Sequence, residues 1–124
     1  MKVEISNGEL VDKITILSLK LSHIKDEDKI KNIKKEYDYL FDYLMDIGLD
    51  GHSYLYRELW NVNRDLWDIE DNIREKERKK EFDDEFIELA RSVYVTNDRR
   101  CDIKRQINLE TESDFIEEKS YEEY

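Results

Sequence analysis

Acidic side chains spaced three residues apart are the first feature of the sequence that can do chemistry. Carboxylates at positions i and i+3 share one face of a helix, and such pairs bind Mg²⁺ in helical nucleotide pyrophosphohydrolases. Glu9 and Asp12 have this spacing, but so do Glu81 and Asp84. Because 32 of the 124 residues are acidic, several such pairs are expected by chance. The spacing therefore predicts no metal site.

A second group of side chains is suited to holding an anion. Asn97, Arg100 and Lys104 follow one another at spacings of three and four, so they share the inward positions of a predicted helix. Cationic side chains inside a helical bundle can bind a dianion. The candidate polar pocket consists of Asp12, Glu70, Arg74, Asn97, Arg100 and Lys104. The alternative is a structural layer, in which these charges pair across helices or set the register of a long bundle.

Aromatic residues form a third group, because one predicted helix carries two adjacent apolar rows. The second of these rows is made by Tyr56, Trp60, Asn63 and Trp67, at spacings of four and three. Burying each ring removes roughly 150–250 Å² from water, so this row is not expected to stay exposed. The candidate interface consists of Tyr56, Trp60, Trp67, Tyr39, Phe41 and Tyr43. Either the other helices of the chain cover it, or a second copy or an adaptor partner does.

The elements that carry these residues are four predicted helices. They run from Asn7 to Ile24, from the carboxylates at 26–28 to Ile47, from Ser53 to about Lys79, and onward from a cap at Asp83 or Asp84. Ser6 and Glu9 have the spacing of a capping box at the start of the first helix. Gly48 stands where a left-handed C-terminal cap is expected. At about 1.5 Å per residue the third helix is about 40 Å long, so we predict an elongated antiparallel bundle.

The end of the chain differs in composition from the rest. From Glu110 onward, seven acids accompany a single base, Lys119. This is typical of an extended or partly ordered tail, although Phe115 and Ile116 can attach it to the body. We therefore predict a helical bundle over residues 1–109 and an acidic C-terminal tail over 110–124, docked or free.

Composition excludes several classes of protein. The chain has no proline and only three glycines, too few for the turns of a sandwich or barrel. No run approaches the about 20 apolar residues of a spanning helix. A net charge of −11 repels phosphate backbones and anionic lipid, so neither nucleic acid nor membrane is an expected partner. The single cysteine and the polar N-terminus favour a cytoplasmic protein.

Four segments of the chain resemble a known family. They are ISNGELVDKITILSLKL at 5–21, WDIEDNIREKER at 67–78, FIELARSVYVTNDRRCDIKRQIN at 86–108 and EEKSY at 117–121. The sequence resembles short bacterial and phage proteins grouped as domain of unknown function 6165. This resemblance covers most of the chain and implies no catalytic residues. It does imply that residues 117–121 belong to the folded unit rather than to a disordered tail.

Together these features favour a non-enzymatic interaction or accessory protein. We expect it to act as a homodimer, or with another protein partner, through the aromatic face. No catalytic residue, metal ligand or cofactor is assigned. The alternative is a small-molecule site in the polar pocket that binds or processes an anionic metabolite or nucleotide. Mg²⁺ is an expected cofactor only under this alternative.

Overall fold

Four α-helices dominate residues 1–120, the part of the chain that the structure, a computed structural model, describes. They are α1 (Asn7–His23), α2 (Glu27–Phe41), α3 (Tyr54–Lys79) and α4 (Asp84–Glu110), with a 3₁₀ turn at Met45–Ile47. The predicted all-α four-helix fold is confirmed. None of the helices in this range has both the length and the apolar character needed to cross a membrane.

Polar side chains cap the start of three helices. Ser6, Asp26 and Asp83 each accept a hydrogen bond from the backbone N–H three residues further on, at 3.1, 3.0 and 3.0 Å. This confirms the cap at Ser6 and selects Asp83 for α4. Ser53 precedes α3, but its hydroxyl accepts a hydrogen bond from the N–H of Asp50 instead, at 2.9 Å.

The second helix is shorter than the sequence predicts. α2 ends at Phe41, so the prediction of a helix continuing to Ile47 was wrong. The backbone hydrogen bonds that follow join residues three apart, as in a 3₁₀ helix. One is the 3.0 Å bond from the N–H of Leu44 to the carbonyl of Phe41. The Leu44 side chain is completely buried. Gly48, at φ 81°, caps the 3₁₀ turn in the left-handed conformation expected of it.

The core lies at one end of a long helical hairpin. α1 packs against the three other helices, while α3 and α4 pack against each other along the hairpin. The buried cluster consists of Val11, Ile14, Leu44, Leu55, Tyr56, Leu59, Val62 and Ile107. From Arg64 to Val95 no residue is buried; we call residues 64–95 the arm. With 26 and 27 residues, α3 and α4 are each about 40 Å long, so the molecule is elongated.

One lysine holds the turn at the tip of the arm. The Lys76 ammonium lies 3.2 Å from the Glu81 carboxylate, 3.0 Å from that of Asp83 and 3.1 Å from that of Glu85. These three acids raise the pKa of Lys76 above its ordinary value. Lys80 follows the end of α3 at φ 54°. The chain therefore reverses through a left-handed residue, next to the ion pairs of Lys76 with Glu81, Asp83 and Glu85.

Candidate functional site

A buried polar network joins α1, α3 and α4. The Lys104 ammonium lies 2.8 Å from a carboxylate oxygen of Glu9 and 3.6 Å from one of Asp12. The amide of Asn63 donates to Asp12 Oδ1 and to Thr15 Oγ1, both at 2.9 Å. All but Glu9 are buried. Buried charges are stable in such surroundings because each is paired and hydrogen-bonded.

The charges of this network stabilise one another. Burial disfavours the charged form of Lys104, but its contacts with Glu9, Asp12 and Glu117 outweigh that effect and raise its pKa. The hydrogen bond from Lys104 lowers the pKa of Glu9 despite partial burial. Both groups are therefore charged at neutral pH. The Glu9 side chain, expected to complete a capping box, instead anchors α1 to α4.

A glycine allows the two helices to approach at this point. The N–H of Gly8 donates to Asn108 Oδ1 at 2.6 Å. A Cβ atom at Gly8 would lie 2.5 Å from the carbonyl oxygen of Lys104. Only glycine therefore fits here without moving the backbone.

A polar cleft of about 480 Å³ lies between the second half of α4 and the chain that follows it. Its basic side chains are Arg100, Lys104, Arg105 and Lys119, and its acidic ones are Asp102, Glu117 and Glu118. Arg105 contacts Glu118 at 2.7 Å, Lys119 contacts Asp102 at 3.3 Å and Lys104 contacts Glu117 at 3.6 Å. Within residues 1–120, the buried Nε atom of Arg100 has no hydrogen-bond partner.

The structure brings together only part of the polar pocket predicted from the sequence. Asn97, Arg100 and Lys104 line the polar cleft, and Asp12 contacts Lys104. Glu70 and Arg74 pair with each other at 3.5 Å on the arm and do not line the cleft. They lie a turn apart on one exposed face of α3, which explains their pairing.

Sequence reasoning missed two cations of this cleft, Arg105 and Lys119. Lys119 reaches the cleft because residues 117–120 fold back along α4. Its position as the lone base of an acidic tail was the available signal. Of the EEKSY segment, Tyr121 lies outside the described residues.

A second, aromatic cleft of about 580 Å³ opens among α1, α2 and α3. Its aromatic lining consists of Tyr37, Phe41, Tyr54, Tyr56 and Trp60. The indole N–H of Trp60 donates to the hydroxyl of Ser18 on α1 at 3.3 Å. Burial, followed by contact with Tyr37, raises the pKa of Tyr56 to about 12.

The segment that supplies Tyr37, Phe41 and Tyr54 to the aromatic cleft is rich in acids, one of which, Asp38, pairs with Lys34 at 3.0 Å. Between Glu36 and Tyr56 the sequence contains no lysine or arginine. It contains five exposed acids: Glu36, Asp38, Asp42, Asp46 and Asp50. Glu58 also lines the cleft, and among residues 1–120 Arg57 is the one lysine or arginine in its lining. Aromatic walls beside an acidic segment make a site suited to a cationic group.

The predicted aromatic face divides into three parts. Phe41, Tyr56 and Trp60 line the aromatic cleft. Trp67 is half-buried and stacks on His23 of α1, with ring centroids 4.5 Å apart. Thus α1 covers much of the second row of α3.

The third part of the face, Tyr39 and Tyr43, remains in solvent. These residues are 53% and 42% exposed, and their rings meet edge to face at the end of α2, with centroids 5.4 Å apart. Sequence reasoning missed Tyr37 and Tyr54 as cleft residues. Tyr37 lies on α2, one helical turn before Phe41, and Tyr54 is the first residue of α3.

Metal binding finds no support in these side chains. Within residues 1–120, no group of three or more His, Cys, Asp or Glu side chains is placed to hold a metal ion. Glu9 and Asp12, which have the spacing of a Mg²⁺ pair, both contact Lys104.

Comparison with known proteins places the chain in a family. It belongs to the family of unknown function (DUF6165), whose model matches residues 1–124. Comparison with curated proteins and with solved structures found no match.

Proposed function

We propose that this chain is a non-enzymatic interaction protein whose aromatic cleft binds a basic segment of a protein partner. The observation that carries the proposal is the joining of two features at one place. Five aromatic side chains line an open cleft, and residues 36–56, which supply four of them, contain five acids and neither lysine nor arginine. A concave site lined by rings, with few polar groups, is the usual form of a binding pocket.

The chemistry of the cleft favours an arginine or lysine side chain as its occupant. Ring faces attract a cation by about 0.5–2 kcal/mol each, and the alkyl stem of such a side chain packs on the ring edges. The net charge of −11 attracts a basic partner and repels an acidic one. Arg64 already lies over Trp60, 5.7 Å from the ring centroid, so this ring accepts a cation within the chain.

The buried network supports a binding role over catalysis. Lys104, Glu9 and Asp12 contact one another, whereas a general acid or base must reach a substrate proton. Their charges stabilise the junction of α1 and α4, and the same contacts occupy the groups that a proton transfer would need.

Calorimetric titration with a short synthetic peptide of Arg, Lys and Leu tests this proposal. The control peptide replaces Arg by citrulline and Lys by Gln, so that shape is retained and charge is lost. We expect saturable binding of the basic peptide alone. Tyr54→Ala should weaken it by about threefold to 30-fold. Tyr94→Ala, which removes a ring on the arm, should leave the affinity unchanged.

These variants are well matched, because Tyr54 and Tyr94 are 64% and 46% exposed and neither belongs to the core. Equal binding of both peptides would contradict a cation-selective cleft. Equal affinities of the two variants would move the site away from Tyr54.

Association of two copies in the cytoplasm is a further part of this proposal, and the arm is its contact surface. Two antiparallel helices are half of a four-helix bundle. Apolar side chains such as Ile87 and Val95 are 51% and 44% exposed there. Light scattering should give twice the 15.2 kDa chain mass, and Ile87→Asp should lower it. A concentration-independent mass of one chain would contradict the homodimer.

A further inference from the structure

Two kinds of carboxylate contact the cations of the polar cleft. Glu9 and Asp12 reach Lys104 from α1, and their side chains are 36% and 7% exposed. Glu117 and Glu118 come from the C-terminal tail, and theirs are 72% and 70% exposed. Exposed ion pairs contribute little to stability because water and salt screen them. The tail carboxylates are therefore replaceable ligands of the cleft.

The cleft has more donors than its own helices satisfy. Among the described residues that line it, Arg100, Lys104, Arg105 and Lys119 are basic, and Asp102 is the one acid besides Glu117 and Glu118. The Nε atom of Arg100 is buried without a hydrogen-bond partner within residues 1–120. A buried donor left without an acceptor is unfavourable. An oxyanion bound in the cleft could accept a hydrogen bond from this Nε–H.

From these contacts we propose that the polar cleft binds a small multivalent oxyanion, a phosphate ester or a polycarboxylate. The carboxylates of Glu117 and Glu118 act as its intramolecular competitors. Guanidinium groups such as those of Arg100 and Arg105 present paired donors that match phosphate and carboxylate oxygens. A volume of about 480 Å³ suits a small metabolite.

The overall negative charge does not oppose this site decisively. Charges in solvent are screened beyond about 8 Å at physiological ionic strength. The acids of residues 36–95 do not line the polar cleft. When only the Glu117 and Glu118 carboxylates turn away, the four cations of the lining face three acids, Asp102, Glu9 and Asp12. The local balance is then positive and governs binding at short range.

Nuclear magnetic resonance titration of the full chain tests the proposal, with pyrophosphate and citrate as separate probes at constant ionic strength. We expect saturable shifts of the Arg100 Nε–H signal and of amides 101–108. The double variant Glu117→Gln/Glu118→Gln should bind the preferred probe about threefold to tenfold more tightly. The two probes decide between a phosphate and a carboxylate ligand.

A matched control separates competition from general charge. Glu75→Gln/Glu88→Gln removes two exposed acids from ion pairs with Arg78 and Arg91 on the arm, so its net charge changes equally. Its affinity should equal that of the natural chain. Equal tightening in both double variants would overturn the competitor role, and the absence of a saturable shift with either probe would overturn the site. Arg105→Gln should weaken binding without changing the melting temperature.

Discussion

Replacing Gly8 by alanine tests the packing of α1 on α4 most directly. Helix propensity predicts that this substitution raises the free energy of unfolding, whereas packing predicts that it lowers it. Alanine favours a helix over glycine by about 1 kcal/mol. In the structure, however, the new Cβ would lie 2.5 Å from the Lys104 carbonyl oxygen and 3.0 Å from Asn108 Oδ1. The first of these atoms belongs to the backbone, so a side-chain rotation cannot relieve the clash.

The magnitude follows from what the helices must give up. Overpacking costs about 1–3 kcal/mol. Displacing the helices also weakens the 2.6 Å bond from Gly8 N–H to Asn108, and a buried group left unsatisfied costs about 1–3 kcal/mol. Subtracting the gain in propensity leaves a net loss of about 3 kcal/mol. For a domain of this size, that lowers the melting temperature by about 10 °C.

Urea unfolding and calorimetry of Gly8→Ala measure this loss, and Gly51→Ala is the control. A Cβ at Gly51 has no atom within 4 Å, so this substitution should be neutral or stabilise by about 0.4–1 kcal/mol through the unfolded chain. If Gly8→Ala were as stable as the natural chain, the close approach of α1 to α4 would be refuted.

Three further predictions concern ionisable groups. Lys104→Met should destabilise the fold by about 3 kcal/mol, because Glu9 and Asp12 lose their buried partner. Because the pKa of Glu9 is lowered from 4.5, its contribution is complete above pH 4.5 and is lost as pH falls below it. Urea melts of the Lys104 variant should therefore show a weaker loss in acid. Because the pKa of Tyr56 is raised from 10.0 to about 12, the free energy of unfolding should fall as pH rises through that interval. In an ultraviolet titration, Tyr56→Phe should remove the tyrosine ionisation that occurs at the upper end of that interval. Lys76→Gln should speed amide hydrogen exchange at the tip of the arm and leave the exchange rates of the core unchanged. Uniform acceleration would contradict the inference that Lys76 stabilises only the turn.

Most of the fold follows from local signals in the sequence. Apolar residues at spacings of three and four, together with capping residues such as Ser6 and Asp83, predict where three helices begin. The end of α2 cannot be predicted from these signals. The apolar residues continue through Leu44 to Ile47 at the spacing of an α-helix, although this part of the chain forms a 3₁₀ turn. Tertiary burial of Leu44, which the spacing cannot reveal, accompanies this change.

The candidate sites were less predictable, since they depend on which elements meet. Spacing along α4 places Asn97, Arg100 and Lys104 together, but the return of the tail, which brings Lys119, has no periodic signature. In the aromatic group, Trp60 and Trp67 contact α1 and are half-buried. Their periodicity indicates that they share one face of the helix, but which element packs on that face depends on how α1 crosses the hairpin.

The hairpin has a practical consequence at its tip. Since the residues of the buried cluster lie outside 64–95, the reversal at Lys80 is remote in sequence from the core. A foreign domain grafted there should fold on its own while its host remains native, because neither the helix junction nor either cleft is interrupted. The tip is thus a suitable insertion point for a fluorescent reporter, because residues 64–95 line neither the aromatic cleft nor the polar cleft.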